Sequence, residues 1–263
     1  MKNHFFYQNH KICKKFGQHF LHNINIINSI IHFISPKKHE SIIEIGPGLG
    51  AITIPISQYG NHIIAIEIDK TLVQKLTKNF SNQKKIKILQ HNILSIDLQN
   101  LNIKKPIRIF GNLPYNISTP IIFHLFNYIN LIQDMHFVLQ REIVNRLIAN
   151  PNNKKYGRLS VMVQYFCKIF RLLEIPSHSF TPAPKVHSTL IKLIPHTKKP
   201  YTANNVNKLS IIVKTAFSQR RKMIKNSLKF LLSVKQIEKQ NINPELRAEN
   251  LNIKQYCQLS NAL

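Results

Sequence analysis

The segment 111–118, Gly-Asn-Leu-Pro-Tyr-Asn-Ile-Ser, places an amide side chain, main-chain carbonyls and an aromatic ring directly after the apolar run 107–110. Ligands of open α/β sheets bind beyond the carboxyl ends of the strands. Tyr115 offers a ring on which a flat base can stack, and Asn112 and nearby carbonyls offer acceptors for an exocyclic amine. The pattern indicates a clamp for adenine. Asn, Pro and Gly also mark ordinary turns, so the segment alone leaves both readings open.

A glycine-rich loop and a pair of acids lie upstream of this segment. The loop 44–50, Glu-Ile-Gly-Pro-Gly-Leu-Gly, lets a ligand approach the backbone closely, near the free N–H groups of the helix that follows. Glu67 and Asp69 end the next apolar run, where a carboxylate can accept from both hydroxyls of a ribose. A nicotinamide enzyme and a methyltransferase explain these two features equally well.

The adenine clamp distinguishes these two classes of enzyme. A dehydrogenase has no use for Asn-Leu-Pro-Tyr after its fourth strand, whereas an enzyme that methylates an adenine amine must hold that amine beside a methyl donor. Asn92, directly after the third strand, is then expected to face the adenine of the cofactor, with its side-chain oxygen accepting from the ring amine. The residues favour an adenine methyltransferase.

Short apolar runs alternate with helical patterns through the first two-thirds of the chain, which predicts βαβ units around a mainly parallel sheet. Strands are predicted at 41–45, 62–68, 86–90, 107–110 and 135–140, with a closing pair at 166–175 and 188–194. Helices are predicted at 52–59 and 71–80, and after about Pro195 at 206–217, 223–232 and 253–259. We expect an α/β domain of residues 1–194 and a small C-terminal all-α domain of residues 195–263.

The chain carries a large excess of positive charge. Its 37 Lys and Arg residues against 11 Asp and Glu give a formal net charge of +26. Such an excess repels itself unless it meets a polyanion, so nucleic acid is the expected partner and the basic helical domain is expected to hold it. An anionic membrane is the competing partner, but no apolar run approaches ~18 residues. We therefore expect a soluble protein that does not bind membranes.

The cysteines and histidines do not suggest a metal site. Cys13, Cys167 and Cys257 are odd in number and widely spaced, which argues against a disulfide framework and a thiolate metal site. The 13 histidines include no pair at a recognisable ligand spacing near a carboxylate or thiol. We expect a cytoplasmic protein without metal.

Taken together, these features resemble the small-subunit ribosomal RNA adenine N6,N6-dimethyltransferase family. The matching motifs cover nearly the whole chain and lie at 15–21, 44–50, 67–69, 111–118, 140–142, 180–186 and 217–222. The resemblance implies a Rossmann-like class I S-adenosylmethionine-dependent methyltransferase sheet with a small C-terminal all-α domain. It also implies a monomer that transfers methyl groups from S-adenosylmethionine to N6 of two adjacent adenosines near the 3′ end of 16S rRNA in the small ribosomal subunit.

The functional residues of this family correspond to named positions of the chain. The implied cofactor contacts are His19, Leu21, Gly46, Glu67, Asn92 and Asn112. The implied catalytic clamp is Asn112, Leu113, Pro114 and Tyr115. Family members usually have Asn where this chain has His19 and Asp where it has Asn92. Because Asn92 keeps an acceptor oxygen but lacks the charge, we expect weakened cofactor binding.

Two further groups of residues are expected to contact RNA. Tyr115 is expected to stack on the target base with Phe180 as the second face, although packing of the 180–186 loop is the alternative for Phe180. Arg220, Arg221 and Lys222 are expected to bind the RNA, with a solvated helix face as the alternative for each.

Three other functions stay open. A related enzyme on the same fold dimethylates large-subunit RNA, and its clamp usually has Ile where this chain has Leu113. A ribosome assembly factor, or a transcription factor of the mitochondrial kind, would keep the fold and the RNA surface without catalysis; His19 and Asn92 leave this open, whereas the intact clamp and Glu67 weigh against it. A dehydrogenase is the third, and nicotinamide binding would test for it.

Overall fold

The computed structural model describes residues 6–263, which divide into two compact units. One unit comprises the described residues through Arg141 together with Phe170–Pro195, and the other comprises Glu142–Ile169 together with His196–Leu263. This division differs from the predicted boundary after residue 194, because segment 142–169 packs with the C-terminal helices. The ring of Tyr156, for example, meets that of Phe217 edge to face, with centroids 6.0 Å apart.

The described residues contain strands and α-helices, together with short 3₁₀ helices. The strands are β1 Phe6–Tyr7, β2 His10–Lys11, β3 Phe20–Leu21, β4 Ser41–Ile45, β5 His62–Glu67, β6 Ile86–Gln90, β7 Ile107–Asn112, β8 Ile132–Gln140, β9 Cys167–Ile175, β10 Phe180–Thr181 and β11 Ser188–Pro195. The α-helices are α1 Ile24–Ile34, α2 Thr53–Ser57, α3 Lys70–Asn79, α4 Ser118–Leu125, α5 Arg141–Leu147, α6 Arg158–Phe166, α7 Val206–Ser218, α8 Ile224–Ser227, α9 Val234–Lys239 and α10 Ile253–Asn261.

Seven strands form one sheet in the order β6-β5-β4-β7-β8-β11-β9. The first five pair in parallel, and β11 runs antiparallel to β8. The chain winds outward in opposite directions from β4 and β7, so the carboxyl ends of these two strands form the switch point at which open α/β sheets bind ligands. This is the Rossmann-like methyltransferase sheet that the motifs imply, with its reversed strand β11 between β8 and β9.

The predicted strands of the parallel core agree closely with the observed ones. All five residues of β4 are buried, as expected for a central parallel strand, and three of them are isoleucines. β7 extends two residues beyond the predicted run, because Gly111 and Asn112 continue the pairing with β8. That extension carries Asn112 to the edge of the switch point.

Two short pairs of strands flank the main sheet within the same unit. β1 pairs with β2, and β3 pairs with β10 so that Leu21 lies opposite Phe180. Gln18 bridges the N-terminal segment to the start of α3: its Nε2 donates to Asp69 at 2.8 Å, and its Oε1 accepts from the Cys13 N–H at 2.7 Å. The N-terminal segment is thereby fixed beside the carboxyl end of β5.

The second unit is helical beyond β11, as predicted. α7 packs on α6 and α10, with Leu209, Ile212 and Val213 fully buried along one face. The predicted helix 223–232 is wrong in length, because α8 ends at Ser227 and a turn closed by hydrogen bonds to the Leu228 carbonyl follows. No helix of residues 6–263 is both long and apolar enough to cross a membrane.

Candidate active site

The site is built at the carboxyl ends of the neighbouring strands β4 and β7. A Cβ atom on Gly111 would lie 2.4 Å from the main-chain oxygen of Ile45, so only glycine permits this approach. Gly46, the next residue after β4, has φ +69°, and a Cβ there would lie 3.8 Å from the main-chain oxygen of Asn112. The two glycines therefore bring the glycine-rich loop and the Asn112 segment side by side.

Glu67 lies at the end of β5 with its carboxylate fixed by the backbone. Its Oε1 accepts from the N–H groups of Ile68 at 2.8 Å and Asp69 at 3.0 Å, and its Oε2 accepts from the Gly48 N–H at 3.2 Å. Burial raises the pKa of this carboxyl, and the three backbone hydrogen bonds oppose that shift. A carboxylate has about four acceptor positions, so Oε2 has capacity for one further donor.

Asn112, the last residue of β7, has an amide whose orientation is dictated by its neighbour. Its Nδ2 lies 2.9 Å from the main-chain oxygen of His19. Because a carbonyl oxygen only accepts, the amide nitrogen must be the atom that faces His19. Oδ1 then points away from that carbonyl and has no hydrogen bond within residues 6–263. The site thus presents an unused acceptor.

Tyr115 is held on one face and at its hydroxyl. The His19 ring stacks on it with centroids 5.3 Å apart and an interplanar angle of 26°. The Tyr115 hydroxyl lies 2.7 Å from that of Ser188, the buried first residue of β11. Burial raises the pKa of Tyr115, and the Ser188 hydrogen bond opposes the shift. The ring therefore has a fixed plane.

The side chain of His19 also joins Tyr115 of the clamp to the 180–186 loop. Its Nδ1 lies 2.6 Å from the Pro182 main-chain oxygen and so carries the proton. The ring of His19 thus lies between Tyr115 and Pro182, and its contact with the cofactor stays a prediction. The main-chain oxygen of His19 orients the Asn112 amide, and any residue type at position 19 would supply that oxygen.

A cavity of about 480 Å³ opens at this switch point, within the size range of small-molecule sites. The structure brings nine of the predicted cofactor and clamp residues into its lining: His19, Leu21, Gly46, Glu67, Asn92, Asn112, Leu113, Pro114 and Tyr115. Leu21 and Leu113 contribute apolar wall and are themselves buried. Residues scattered over almost a hundred positions thus form one pocket.

Asn92 lies at an exposed part of the cavity lining and already has a structural role. Its Oδ1 accepts from the Leu94 N–H at 3.1 Å, which caps the short 3₁₀ helix Ile93–Ser95. An aspartate could cap the helix with one oxygen and offer the other to a ligand. Asn92 must use its single oxygen for both, so the change from the family pattern costs an acceptor as well as a charge.

Three residues that matter to the site were not assigned from the sequence. Ser188 fixes the Tyr115 hydroxyl, and Gln18 fixes the N-terminal segment. Glu44 lies buried in the cavity wall and accepts from the Thr53 hydroxyl at 2.5 Å. Burial raises its pKa to about 8, against the lowering effect of the Thr53 hydrogen bond. Gln18 and Glu44 lie in the motifs at 15–21 and 44–50, which are a sequence signal for them, whereas Ser188 lies outside every motif.

Phe180 does not line the cavity. It is 2% exposed, lies in the core with Ile27, Ile175 and Leu190, and pairs with Leu21 through the backbone. The structure therefore favours the packing alternative, because a ring so enclosed cannot stack on a base without leaving the core. The stacking role predicted for Phe180 is corrected accordingly.

The three predicted RNA contacts of the second unit differ in environment. Arg220 donates from Nε and Nη2 to the same Glu249 oxygen, at 2.9 and 2.6 Å, and so ties the end of α7 to the 3₁₀ helix Ala248–Asn250. Arg221 and Lys222 are exposed and form no ion pair within the described part of the chain. Residues 6–263 also contain no cluster of His, Cys, Asp or Glu able to hold a metal ion.

The chain matches a known protein family over nearly its whole length. The model of the family described as ribosomal RNA adenine dimethylase matches residues 9–263. The chain belongs to this family. Among curated members of this kind, the protein named ribosomal RNA small subunit methyltransferase A of Blochmanniella floridana is 51% identical over 261 residues, which cover 98% of this chain and 96% of that protein. The protein of the same name from Erwinia tasmaniensis is 47% identical over 259 residues, with 98% and 95% covered.

Solved structures agree with the dimethylase fold. A dimethyladenosine transferase from Plasmodium falciparum superposes with a TM-score of 0.78 at 24% identity, with 92% of this chain and 96% of that one covered. The 23S rRNA methyltransferase ErmE gives a TM-score of 0.70 at 20% identity, with 93% and 99% covered. At these identities the likeness establishes the class I methyltransferase fold alone.

Proposed function

We propose that this dimethylase transfers methyl groups from S-adenosylmethionine to N6 of two adjacent adenosines near the 3′ end of 16S rRNA, acting as a monomer on the small ribosomal subunit in the cytoplasm. The observation that carries the proposal is that one cavity is lined both by Asn112, whose Oδ1 is unused, and by Tyr115, whose ring is fixed. This pair matches an adenine, which has an amine to donate and a face to stack. Relatives named for the small subunit support 16S rRNA over the large-subunit alternative.

The residues of the cavity fit S-adenosylmethionine. The free acceptor position on Glu67 Oε2 suits a ribose hydroxyl, and the left-handed backbone at Gly46 leaves the loop bare for close approach. Asn92, in the exposed part of the cavity lining, offers its side-chain amide to the adenine ring of the cofactor. When bound, the cofactor supplies an electrophilic methyl group on its sulfonium.

The clamp overcomes the weak nucleophilicity of the adenine amine, whose lone pair is delocalised into the ring. We assign Asn112 Oδ1 and the Leu113 carbonyl as acceptors for the two N–H groups. These hydrogen bonds draw the nitrogen towards tetrahedral geometry and direct its lone pair at the methyl group. Once alkylated, the nitrogen loses a proton to solvent without a strong base, so Asn112, Leu113, Pro114 and Tyr115 act by alignment and electrostatics.

A comparison of two substrates tests this proposal. The protein is incubated with radiolabelled S-adenosylmethionine and either small or large ribosomal subunits that lack adenine dimethylation. We expect label in the small subunits alone. Label in the large subunits would instead support the large-subunit alternative, and binding of the cofactor without transfer to either would support an assembly factor.

A further inference from the structure

Phe230 is the most exposed large hydrophobic side chain among the described residues. It is 87% exposed, whereas the next such residue, Phe6, is 65% exposed, and the other exposed large hydrophobic residues of the second unit reach at most 47%. A phenylalanine left this open gains nothing from burial in the folded chain. The Phe230 ring is therefore available to contact a ligand.

The backbone holds Phe230 outward on a rigid turn. Its flanking residues Leu228 and Leu232 are buried to 0% and 2% exposure, and they fix both ends of the turn in the core of the second unit. The N–H groups of Leu231 and Leu232 both donate to the Leu228 carbonyl, at 2.7 and 2.9 Å. Because the turn is pinned on both sides, little conformational entropy is lost when the ring meets a ligand.

The charge around Phe230 indicates the kind of ligand. Lys229 Nζ lies 4.7 Å from the centroid of the ring. Arg221 and Lys222 precede the single-turn helix α8 and Phe230 follows it, so all three lie within the ten residues 221–230. The segments 142–169 and 196–263 together contain 18 Lys and Arg against four acids. In single-stranded nucleic acid, bases stack on exposed aromatic rings and phosphates bind cationic side chains, so this segment suits such a ligand.

We propose that Phe230 is a stacking site for an unpaired RNA base, with Lys229, Arg221 and Lys222 contacting the adjoining phosphates. This inference rests on the proposed function, because it identifies how the second unit holds rRNA. The site is distinct from the adenine clamp, since Phe230 lies in the helical unit and Tyr115 in the sheet unit. It selects unpaired over duplex RNA, because paired bases have no free face.

The absence of tryptophan from the chain gives a direct test. Phe230→Trp creates a single tryptophan at the site, and Ile211→Trp places one at a 47% exposed position of α7 in the same unit as the matched control. We expect protein-free, unmethylated 16S rRNA and a single-stranded oligoribonucleotide to quench Phe230→Trp fluorescence, with little effect from duplex RNA or on Ile211→Trp. Equal responses of the two variants, or quenching by duplex alone, would overturn the proposal.

Affinity measurements give a second, independent readout. Phe230→Ala is expected to weaken binding to protein-free 16S rRNA roughly 5- to 150-fold and to raise KM for the small subunit with kcat unchanged. Ile211→Ala should bind as the wild type. Unchanged RNA affinity in Phe230→Ala would contradict the site, as would an effect seen with intact subunits but absent with protein-free rRNA, which would assign the surface to a ribosomal protein. Fluorescence and affinity need no methyl transfer, so they stand even if the proposed activity fails.

Discussion

The side-chain Nδ2 of Asn112 lies 2.9 Å from the main-chain oxygen of His19. This contact joins the end of β7 to the N-terminal segment and fixes which end of the amide faces the cavity. Orientation of the acceptor therefore depends on a backbone atom that no side-chain substitution at position 19 removes.

Asn112→Asp tests this orientation without changing the size of the side chain. A carboxylate cannot donate to the His19 oxygen, so two acceptors would face each other and the clamp would lose its geometry. We expect methyl transfer to fall by roughly 10²- to 10³-fold, the loss typical of one preorganised catalytic hydrogen bond. Asn127→Asp, an exposed substitution of equal charge, serves as the control. Wild-type rates for Asn112→Asp would refute the assigned role.

The Tyr115–Ser188 hydrogen bond predicts that two distant substitutions share one effect. Tyr115→Phe and Ser188→Ala each remove the 2.7 Å bond while leaving the aromatic ring in place. We expect each to lower kcat/KM by about 2- to 10-fold, corresponding to one neutral hydrogen bond. The double variant should be no worse than either single one. Multiplied losses in the double variant would mean that the two hydroxyls act separately.

Much of the fold could be predicted from the sequence, because the strands of the parallel core are short, mainly apolar runs that alternate with helical patterns. β4, β6 and the N-cap of α3 at Asp69 have the expected positions. α1 was not predicted. The division into units differs from the predicted one because the packing of Tyr156 on Phe217 has no local sequence signal. The pairing of β3 with β10 has no such signal either.

The predicted site residues met in one cavity because their motifs lie at strand ends, which a parallel sheet gathers at one edge. The exceptions depend on tertiary packing. Phe180 turned inward because its strand pairs with β3, and Arg220 met Glu249 across 29 residues of sequence. The contact of His19 with Tyr115 was equally invisible, since it joins side chains 96 positions apart.

Asn92→Asp is expected to strengthen cofactor binding. The substitution restores a second oxygen, so that one can cap the 3₁₀ helix at Leu94 while the other accepts from a ligand. The gain from a charged over a neutral acceptor predicts a roughly fivefold lower Kd for S-adenosylmethionine by calorimetry. Asn82→Asp, exposed and of equal charge change, should leave the Kd unaltered. A Kd for Asn92→Asp equal to or above that of the wild type would count against the assignment.

Glu44 predicts a pH dependence of stability. Burial raises its pKa from 4.5 to about 8, so the folded protein retains a proton that the unfolded chain has lost. Its contribution to stability therefore falls as the pH rises from about 4.5 to 8. Glu44→Gln keeps an acceptor for Thr53 but cannot ionise, so urea unfolding should show the variant gaining stability relative to the wild type across this range. Parallel pH profiles would show that Glu44 ionises normally in the folded protein.

We propose above that the Asn112 clamp dimethylates two adjacent adenosines. The direct measurement is digestion and mass spectrometry of 16S rRNA from unmethylated small subunits after incubation with the protein and S-adenosylmethionine, with the modified positions mapped. We expect two N6,N6-dimethyladenosines per subunit, next to each other near the 3′ end, with wild-type protein and none with Asn112→Ala. Modification elsewhere, or the same two bases modified by Asn112→Ala, would contradict it.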